Sequence, residues 1–229
     1  MPARHAHPAI GVFGGSFDPV HVAHLALAQA CASALELDEV RFIPAGQPWQ
    51  KPAGMTPAMH RVAMLRAALA HGIAGSPSPS WRVVIDEREI QRQGPSYSID
   101  TLRELREECG PAACLVLMIG ADQLLRLDTW RDWRGLFDLA HVVVVDRPGY
   151  DLSALSAAVR QEWEQRLASP DRVRARPAGH TCYIDAVNLD VAATQLRAWL
   201  ERDPEAARAS GLLAPAVLAY IEANHLYKA

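Results

Sequence analysis

Short apolar segments alternate with helical segments along most of this chain of 229 residues. The runs AIGVF (9–13) and CLVLMIG (114–120) have the length and the continuous apolar character of strands buried on both faces. Further strands are predicted at 40–45, 81–87, 141–146 and 182–185, and helices at 23–35, 58–70, 98–108, 152–168, 191–202 and 214–224. Because strand–helix alternation is typical of βαβ units, the pattern predicts an α/β fold with a doubly wound parallel sheet and helices on both faces.

Composition narrows the class of protein. Half of the residues are hydrophobic and 21% are charged, which is ordinary for a globular protein. From the order of the predicted strands and helices we expect one domain over 1–229, with a Rossmann-like core at about 8–190 and a small helical C-terminal extension at about 191–229. The formal net charge of −3 gives no basic surplus for nucleic acid. The apolar runs are far shorter than the ~20 residues of a membrane span. Neither a signal segment nor a disulfide framework is evident, so we expect a cytoplasmic protein that binds no nucleic acid and no membrane. The sequence leaves open whether the protein forms a homo-oligomer.

The first strand runs directly into GGSFDPVHVAHL (14–25). Gly14 and Gly15 tolerate the dihedral angles of a tight turn and let main-chain amides approach an anion closely. His21 and His24 are three residues apart at the start of the next helix, so both imidazoles lie on one face, near the positive end of the helix dipole. Since ligands of such sheets bind beyond the carboxyl ends of the strands, this segment predicts a phosphate site.

Three other interpretations of this segment are open. The glycines can simply form a turn, and the histidines can be surface residues or zinc ligands, although no local motif supplies a third ligand. A dinucleotide-binding oxidoreductase would need G-x-G-x-x-G, which GGSFDP lacks. We favour the phosphate site over these three interpretations. Lysine occurs only at Lys51 and Lys228, and Lys51 follows the second strand in a loop at 46–57.

The segment GGSFDPVHVAHL resembles the signature of nucleotidyltransferases in which an H-x-G-H motif follows the first strand, and most of all that of bacterial nicotinate-nucleotide adenylyltransferases. The similarity continues in order through FIPAGQPWQKP, HRVAMLRAAL, GPSYSIDTL, MIGADQL, VVVVDRPGY and YIEANHLY. Two departures stand out. Ala23 replaces the glycine of H-x-G-H, and in VAATQLR (191–197) Ala192 and Ala193 replace two serines. Because the helix amides remain, we expect weaker ATP affinity rather than inactivity.

The resemblance implies transfer of AMP from ATP to nicotinate mononucleotide, giving deamido-NAD and pyrophosphate. Mg²⁺ would enter with ATP, and the protein itself would provide no metal site. The implied catalytic residues are His21, His24, Lys51 and Arg197. The implied ATP-binding residues are Gly14, Gly15, Ser16, Phe17, His21, His24, Gly120, Asp122, Thr194 and Arg197. The implied acceptor-binding residues are Tyr97, Ser98, Asp122, Trp130 and Arg147.

Simpler roles exist for several of these residues. Trp130 can belong to an amphipathic helix, Asp122 can be a helix N-cap, and Tyr97 and Ser98 can form a turn before a helix that Ser98 caps. Two other functions also fit. One is a related adenylyl- or cytidylyltransferase for another phosphate-bearing acceptor, such as nicotinamide mononucleotide or phosphopantetheine. The other is a non-catalytic nucleotide-binding relic. A panel of acceptors and nucleotides would distinguish them.

Overall fold

A computed structural model of the chain describes residues 7–47, 54–70, 72–73, 80–145, 152–184 and 191–228. The strands are β1 (Ala9–Gly15), β2 (Glu39–Pro44), β3 (Arg82–Ile85), β4 (Cys114–Gly120), β5 (His141–Val145) and β6 (Thr181–Ile184). The helices are α1 (Val22–Ala34), α2 (Ala58–Leu69), α3 (Arg88–Gln91), α4 (Ser98–Cys109), α5 (Ala121–Leu124), α6 (Leu136–Leu139), α7 (Ala157–Arg166), α8 (Pro170–Arg174), α9 (Ala193–Arg202), α10 (Pro204–Ala209) and α11 (Pro215–Ala223). Short 3₁₀ helices cover Leu127–Thr129, Trp133–Gly135 and Leu152–Ala154.

The six strands form one sheet in the order β3-β2-β1-β4-β5-β6, and each neighbouring pair is parallel. From β1 the chain winds to one side through β2 and β3, and from β4 it winds to the other side through β5 and β6. This arrangement confirms the predicted doubly wound sheet. The direction of winding changes between β1 and β4, and this switch point is where such sheets bind ligands.

Helices cover both faces of the sheet. The first core cluster contains Phe42, Met64 and Val217 and joins α1, α2 and the C-terminal helices α9–α11 to one face. The second contains Leu102 and Trp163 and joins α4–α7 to the other face. Burial on both sides explains why the central strands β1 and β4 are continuous apolar runs rather than alternating ones. The predicted helical C-terminal extension is therefore present, while the division of the domain near residue 190 stays a prediction.

The structure differs from the sequence-based assignment of helices in two respects: one predicted helix is divided, and five short helices, α3, α5, α6, α8 and α10, were not predicted. The predicted helix at 152–168 is instead a 3₁₀ turn followed by α7, because Ser156 caps α7 by accepting a hydrogen bond from the Val159 amide at 3.4 Å. The short helices α8 and α10 were not predicted, and each begins with a proline, Pro170 and Pro204, where a missing N–H costs nothing. Across the described ranges, no helix combines the length and the apolar character that crossing a membrane requires.

Candidate active site

A cavity of about 380 Å³ lies at the carboxyl ends of β1 and β4. The loop after β1 and the first turns of α1, α4, α5 and α9 line it. Most of the predicted site residues meet there, namely Gly14, Gly15, Ser16, His21, His24, Tyr97, Ser98, Gly120, Asp122, Trp130, Thr194 and Arg197. The chain thus brings together residues that are far apart in sequence at the switch point of the sheet.

The turn after β1 differs from the prediction. The strand does not end at residue 13 but continues through Gly14 and Gly15, which pair with Ile43 and Pro44. Neither glycine has a positive φ; the left-handed residue of the turn is Phe17, with φ of 48°. Limited space explains Gly15 but not Gly14. A Cβ at Gly15 would lie 3.0 Å from the Phe17 ring, and the Cβ position of Gly14 is open.

Phe17 was predicted to bind ATP, but its side chain is completely buried below the cavity. Its ring packs edge-on against Phe13 at 5.7 Å and against His24 at 5.2 Å between centroids. The side chain therefore supports the His24 ring from the core side. Only the backbone of Phe17 can therefore contact a nucleotide in the cavity.

The two histidines of the motif are adjacent in space. His21 directly precedes α1 and is buried, and His24 lies in the first turn, with 3.7 Å between the ring centroids. The His21 amide donates a hydrogen bond to His24 Nδ1 at 3.2 Å. Because Nδ1 is an acceptor in this contact, the neutral ring carries its proton on Nε2. His24, which lines the cavity, thus carries an N–H donor at Nε2.

The start of α9 supplies anion-binding groups. Its N-cap residue, Ala192, has no side-chain oxygen to accept from the first-turn amides. Arg197, one turn along, donates to the Asp18 carbonyl at 2.7 Å and to Thr194 Oγ1 at 3.2 Å. A guanidinium has five N–H donors, so these two contacts leave others for a phosphate.

Helix dipoles add to the positive character of the cavity. The first turns of α1, α4 and α9, helices of 13, 12 and 10 residues, all line it. Each helix N-terminus carries a partial positive charge of about one half, together with unpaired N–H groups. The arrangement therefore favours a ligand with several phosphates.

Aromatic side chains lie at another part of the cavity. Tyr97 directly precedes α4 and takes the N-cap position, so the expectation that Ser98 caps this helix is wrong. Trp130 is half-buried between two 3₁₀ helices and not in an amphipathic α-helix. Its Nε1 is buried without a partner among the described residues. The Arg131 guanidinium lies over the Tyr97 ring, 4.9 Å from its centroid.

Asp122 lies in the first turn of α5 and lines the cavity. The N-cap of this helix is Gly120, so the alternative role of Asp122 as an N-cap is wrong. Gln123 donates to Asp122 Oδ2 at 2.8 Å. A carboxylate held in this way can accept hydrogen bonds from ribose hydroxyls or a base edge.

Arg61 and Ser96 help to form the site, although neither was among the predicted site residues. Arg61 is buried and donates to the carbonyls of Thr56, Ser16 and Ala45 at 2.9, 2.7 and 2.6 Å. Burial lowers the pKa of this guanidinium. Ser96 Oγ accepts from the amides of Gly46 and Gln47 at 3.1 and 3.2 Å. Together they fix the loops after β1 and β2, and no local sequence signal identifies such long-range backbone contacts.

Glu89 is a further lining residue that the sequence did not indicate. Its carboxyl is buried and accepts from Thr101 Oγ1 at 2.7 Å. Burial raises its pKa, because desolvation disfavours the charged form.

Two predicted residues, Lys51 and Arg147, lie outside the described residues. In the part of the chain that the structure describes, no cluster of three or more His, Cys, Asp or Glu side chains could hold a metal ion. The donor set around the cavity suits phosphates. Because anion-binding groups and aromatic side chains share one cavity at the switch point, the fold and the site define an α/β protein of the nucleotidyltransferase class.

Comparison with known proteins narrows this class. A family model described as cytidylyltransferase-like matches residues 12–176. A protein of Chromobacterium violaceum named "Probable nicotinate-nucleotide adenylyltransferase" is 47% identical over 220 residues, which cover 96% of this chain and 98% of the relative. A protein of the same name from Herminiimonas arsenicoxydans is 41% identical over 221 residues, 96% of both chains. The chain belongs to the nicotinate-nucleotide adenylyltransferase family, which confirms the resemblance drawn from its motifs.

Solved structures agree on the fold. The Plasmodium falciparum nicotinic acid mononucleotide adenylyltransferase complexed with APC has a TM-score of 0.72 at 15% identity, covering 96% of this chain and 98% of that one. The same enzyme complexed with NaAD has a TM-score of 0.71 at 16% identity and the same coverage. At such low identity these two structures support the Rossmann-like architecture alone.

Proposed function

We propose that this protein transfers AMP from ATP to nicotinate mononucleotide and releases pyrophosphate and deamido-NAD. One observation carries the proposal. His21, His24 and Arg197 share a single cavity with Tyr97 and Trp130, and its volume of about 380 Å³ is typical of small-molecule sites. The names of the relatives support the same reaction.

The reaction needs alignment more than chemical activation. A phosphate oxygen of the acceptor forms a bond to the α-phosphorus of ATP, and the bond from that phosphorus to the bridging oxygen breaks. Pyrophosphate leaves with the electron pair. Since the nucleophile is already anionic, no protein nucleophile or strong base is required. The protein has to hold two phosphates in line and stabilise the charge that develops between them.

Different residues of the cavity are assigned to the reacting phosphate and to the phosphates that leave. The Nε2–H of His24 donates to an oxygen on the reacting phosphate, and His21 lies beside it. Arg197 and the first amides of α9 hold the phosphates that leave. Lys51 is assigned to the same phosphates through the family motif. Mg²⁺ enters as part of the substrate and keeps most of its waters.

At the acceptor end, Trp130 and Tyr97 offer faces on which a pyridine ring can stack. Asp122 accepts hydrogen bonds from a ribose or base edge. Arg147 is assigned to the acceptor by its motif. These roles follow the family pattern, and each is open to substitution experiments.

The experiment compares acceptors and nucleotides in one assay. Pyrophosphate release is measured with ATP and nicotinate mononucleotide, nicotinamide mononucleotide or phosphopantetheine, and mass spectrometry identifies the product. We expect deamido-NAD from the first acceptor, with little product when CTP replaces ATP. His24→Ala abolishes most turnover, whereas His7→Ala, a change at an exposed histidine outside the cavity, does not. A preferred product other than deamido-NAD would move the protein to another transferase activity, and nucleotide binding without product would indicate a relic.

We also propose that the protein is located in the cytoplasm. The four cysteines, Cys31, Cys109, Cys114 and Cys182, are free, as expected in a reducing environment. Burial raises the pKa of the Cys114 thiol to about 11, so this thiol stays protonated and unreactive. Light scattering after size-exclusion chromatography would determine the oligomeric state, which the sequence leaves open.

A further inference from the structure

The C-terminal segment folds back onto the loop that carries the two histidines. After α11 the backbone turns at His225 and Tyr227, which have φ angles of 52° and 58°. Non-glycine residues rarely adopt this left-handed conformation, so contacts elsewhere must hold the turn in place. The contact at its end is a hydrogen bond of 2.6 Å from Tyr227 Oη to Asp18 Oδ1.

Asp18 connects this segment to the candidate site. Its side chain is only 4% exposed, and its second carboxylate oxygen accepts from the Thr56 amide at 3.3 Å. Its main-chain carbonyl accepts from Arg197 at 2.7 Å. One residue, three positions before His21, thus joins the β1–α1 loop to the C-terminal segment and to α9.

A buried carboxylate is costly unless hydrogen bonds replace its lost water. The Tyr227 hydroxyl gives Asp18 a short charge-assisted bond, the strong kind of hydrogen bond in proteins. Burial, followed by the bond to Asp18, raises the pKa of Tyr227, so its hydroxyl stays a donor throughout the neutral range. Without this donor, one oxygen of Asp18 would lose its shortest contact and the loop would shift toward solvent.

We propose that Tyr227 is a positioning residue for the phosphate end of the active site. By holding the Asp18 carboxylate, it keeps the Asp18 carbonyl where Arg197 binds it and keeps the β1–α1 loop where His21 and His24 face the cavity. The C-terminal segment is thereby a required part of the ATP site, although it contributes no side chain to the cavity lining. This inference rests on the proposed function for its kinetic test.

The test compares Tyr227→Phe with a matched hydroxyl deletion, Tyr220→Phe. Tyr220 lies on α11 and its Oη contacts His60 Nδ1 at 3.0 Å, away from Asp18. We expect Tyr227→Phe to raise the KM for ATP about tenfold while the KM for nicotinate mononucleotide stays the same. Tyr220→Phe should leave both constants near the wild-type values. Asp18→Asn, which keeps an acceptor oxygen but removes the charge, serves as the second variant and should also raise the ATP KM selectively.

A second measurement does not depend on turnover. Hydrogen exchange of the amides at 16–22 and 193–197 should be faster in Tyr227→Phe than in Tyr220→Phe, without nucleotide. Calorimetric titration with a non-hydrolysable ATP analogue should show the same tenfold loss of affinity. Equal increases in both KM values, or an unchanged ATP KM with unchanged exchange, would overturn the inference. Wild-type protein that is inactive with both substrates would refute the proposed function, and the exchange and titration would still decide the role of Tyr227.

Discussion

His24 has one ring nitrogen already engaged before any ligand binds. The His21 amide donates to its Nδ1, and the Phe17 ring packs against one edge of the imidazole. Both contacts come from residues of the same short loop, so the loop determines the tautomer and the orientation of the ring. A donor fixed in this way costs little reorganisation when charge develops on a phosphate.

Replacement of His24 by alanine tests this role. We expect His24→Ala to lower kcat by roughly 10²–10³, the usual scale for loss of one transition-state donor. His24→Asn is the control for geometry, because an amide can keep an acceptor for the His21 amide without offering the Nε2–H donor. Circular dichroism monitors the fold of both variants. Near-normal turnover in a folded His24→Ala protein would remove this histidine from the mechanism.

Replacement of Arg131 tests how the protein distinguishes nicotinate mononucleotide from nicotinamide mononucleotide. It lies over Tyr97 in the cavity, and its approach to Asp100, 3.7 Å, is too long for a hydrogen bond. Nicotinate carries a carboxylate where nicotinamide is neutral, so a nearby cation favours the acid. Because the arginine side chain is exposed and screened, we expect Arg131→Gln to lower kcat/KM for the acid about threefold to fivefold, with the amide unaffected.

The matched control for this change is Arg134→Gln. Arg134 stacks over Trp133 at 4.3 Å, pairs with Glu162 and does not line the cavity. Its loss should leave the ratio of the two acceptors unchanged. If Arg131→Gln also leaves the ratio unchanged, main-chain amides near Ser98 or Trp130 distinguish acid from amide without help from the guanidinium.

Single residues also show why the site was only partly predictable. His21 and His24 could be assigned because they follow a strand directly, and the rules for parallel sheets point to that place. Arg61 and Ser96 could not, because their partners are backbone groups as far as 45 and 50 residues away. Asp18 and Arg197, 179 residues apart, meet only once the C-terminal helices cover the sheet.

At the scale of elements, apolar pattern predicts burial more reliably than conformation. Leu155, Val159 and Trp163 keep helical spacing and are all buried in one cluster, yet the helix begins only after Ser156. The spacing therefore predicted these three buried positions correctly and the start of the helix wrongly, and Leu167, the last residue with the same spacing, is 53% exposed. The short helices α8 and α10 have too few apolar residues to show a period, so the sequence did not reveal them.

The first turn of α9 gives a prediction at this scale. Ala192 is its N-cap, with extended backbone angles, and Ala193 is its first residue. If the free amides cradle the triphosphate, Ala192→Ser plus Ala193→Ser should lower the KM for ATP by at most about tenfold, since each recovered hydroxyl bond is worth ~0.5–1.5 kcal/mol. The acceptor KM should stay unchanged. Titrations at matched magnesium concentration measure both.

A serine at an N-cap also stabilises a helix, so the gain in ATP affinity needs a control. Ala214→Ser supplies it, because Ala214 is the N-cap of α11 and likewise makes no side-chain cap. This change should raise the melting temperature without altering the ATP KM. A double variant at α9 that is more stable but binds ATP no better would mean that the hydroxyls bond to the helix backbone instead.

At the scale of the whole molecule, the sequence restricts the order of the strands to a few possibilities but does not determine it. Alternation and right-handed crossovers restrict the topologies to a few, and the observed order β3-β2-β1-β4-β5-β6 is one of them. The order matters for function because it places β1 beside β4, which brings His21 and Asp122 to one cavity. Periodicity alone contains no information about which strands are neighbours.

The folded state as a whole should be sensitive to mild acid, through His141 at the start of β5. Its ring is completely buried, with Nε2 bonded to the Arg176 carbonyl at 2.9 Å and Nδ1 accepting from the His180 amide at 3.0 Å. Burial lowers the pKa of His141 to about 4 and also lowers that of His180, which stacks on it at 5.5 Å. Protonation of Nδ1 would break the bond from His180.

The sign of the effect follows from linkage. The unfolded chain binds a proton at this histidine near pH 6.5, whereas the folded chain does not until about pH 4, so stability is lost as the pH falls between these values. We expect the free energy of unfolding in urea to drop by up to about 3 kcal/mol over this interval. His141→Asn should be less stable at pH 7.5 yet show a flatter pH profile, while His7→Asn, at an exposed position, should follow the wild type. Carboxylates with lowered pKa values, such as Asp86 and Glu108, lose their contribution at lower pH. His180, whose pKa burial also lowers, loses its contribution in the same interval, so the difference between the wild type and His141→Asn, and not the wild-type profile alone, measures the effect of His141. An identical profile for wild type and His141→Asn in that interval would show that this buried imidazole does not control the acid stability of the protein.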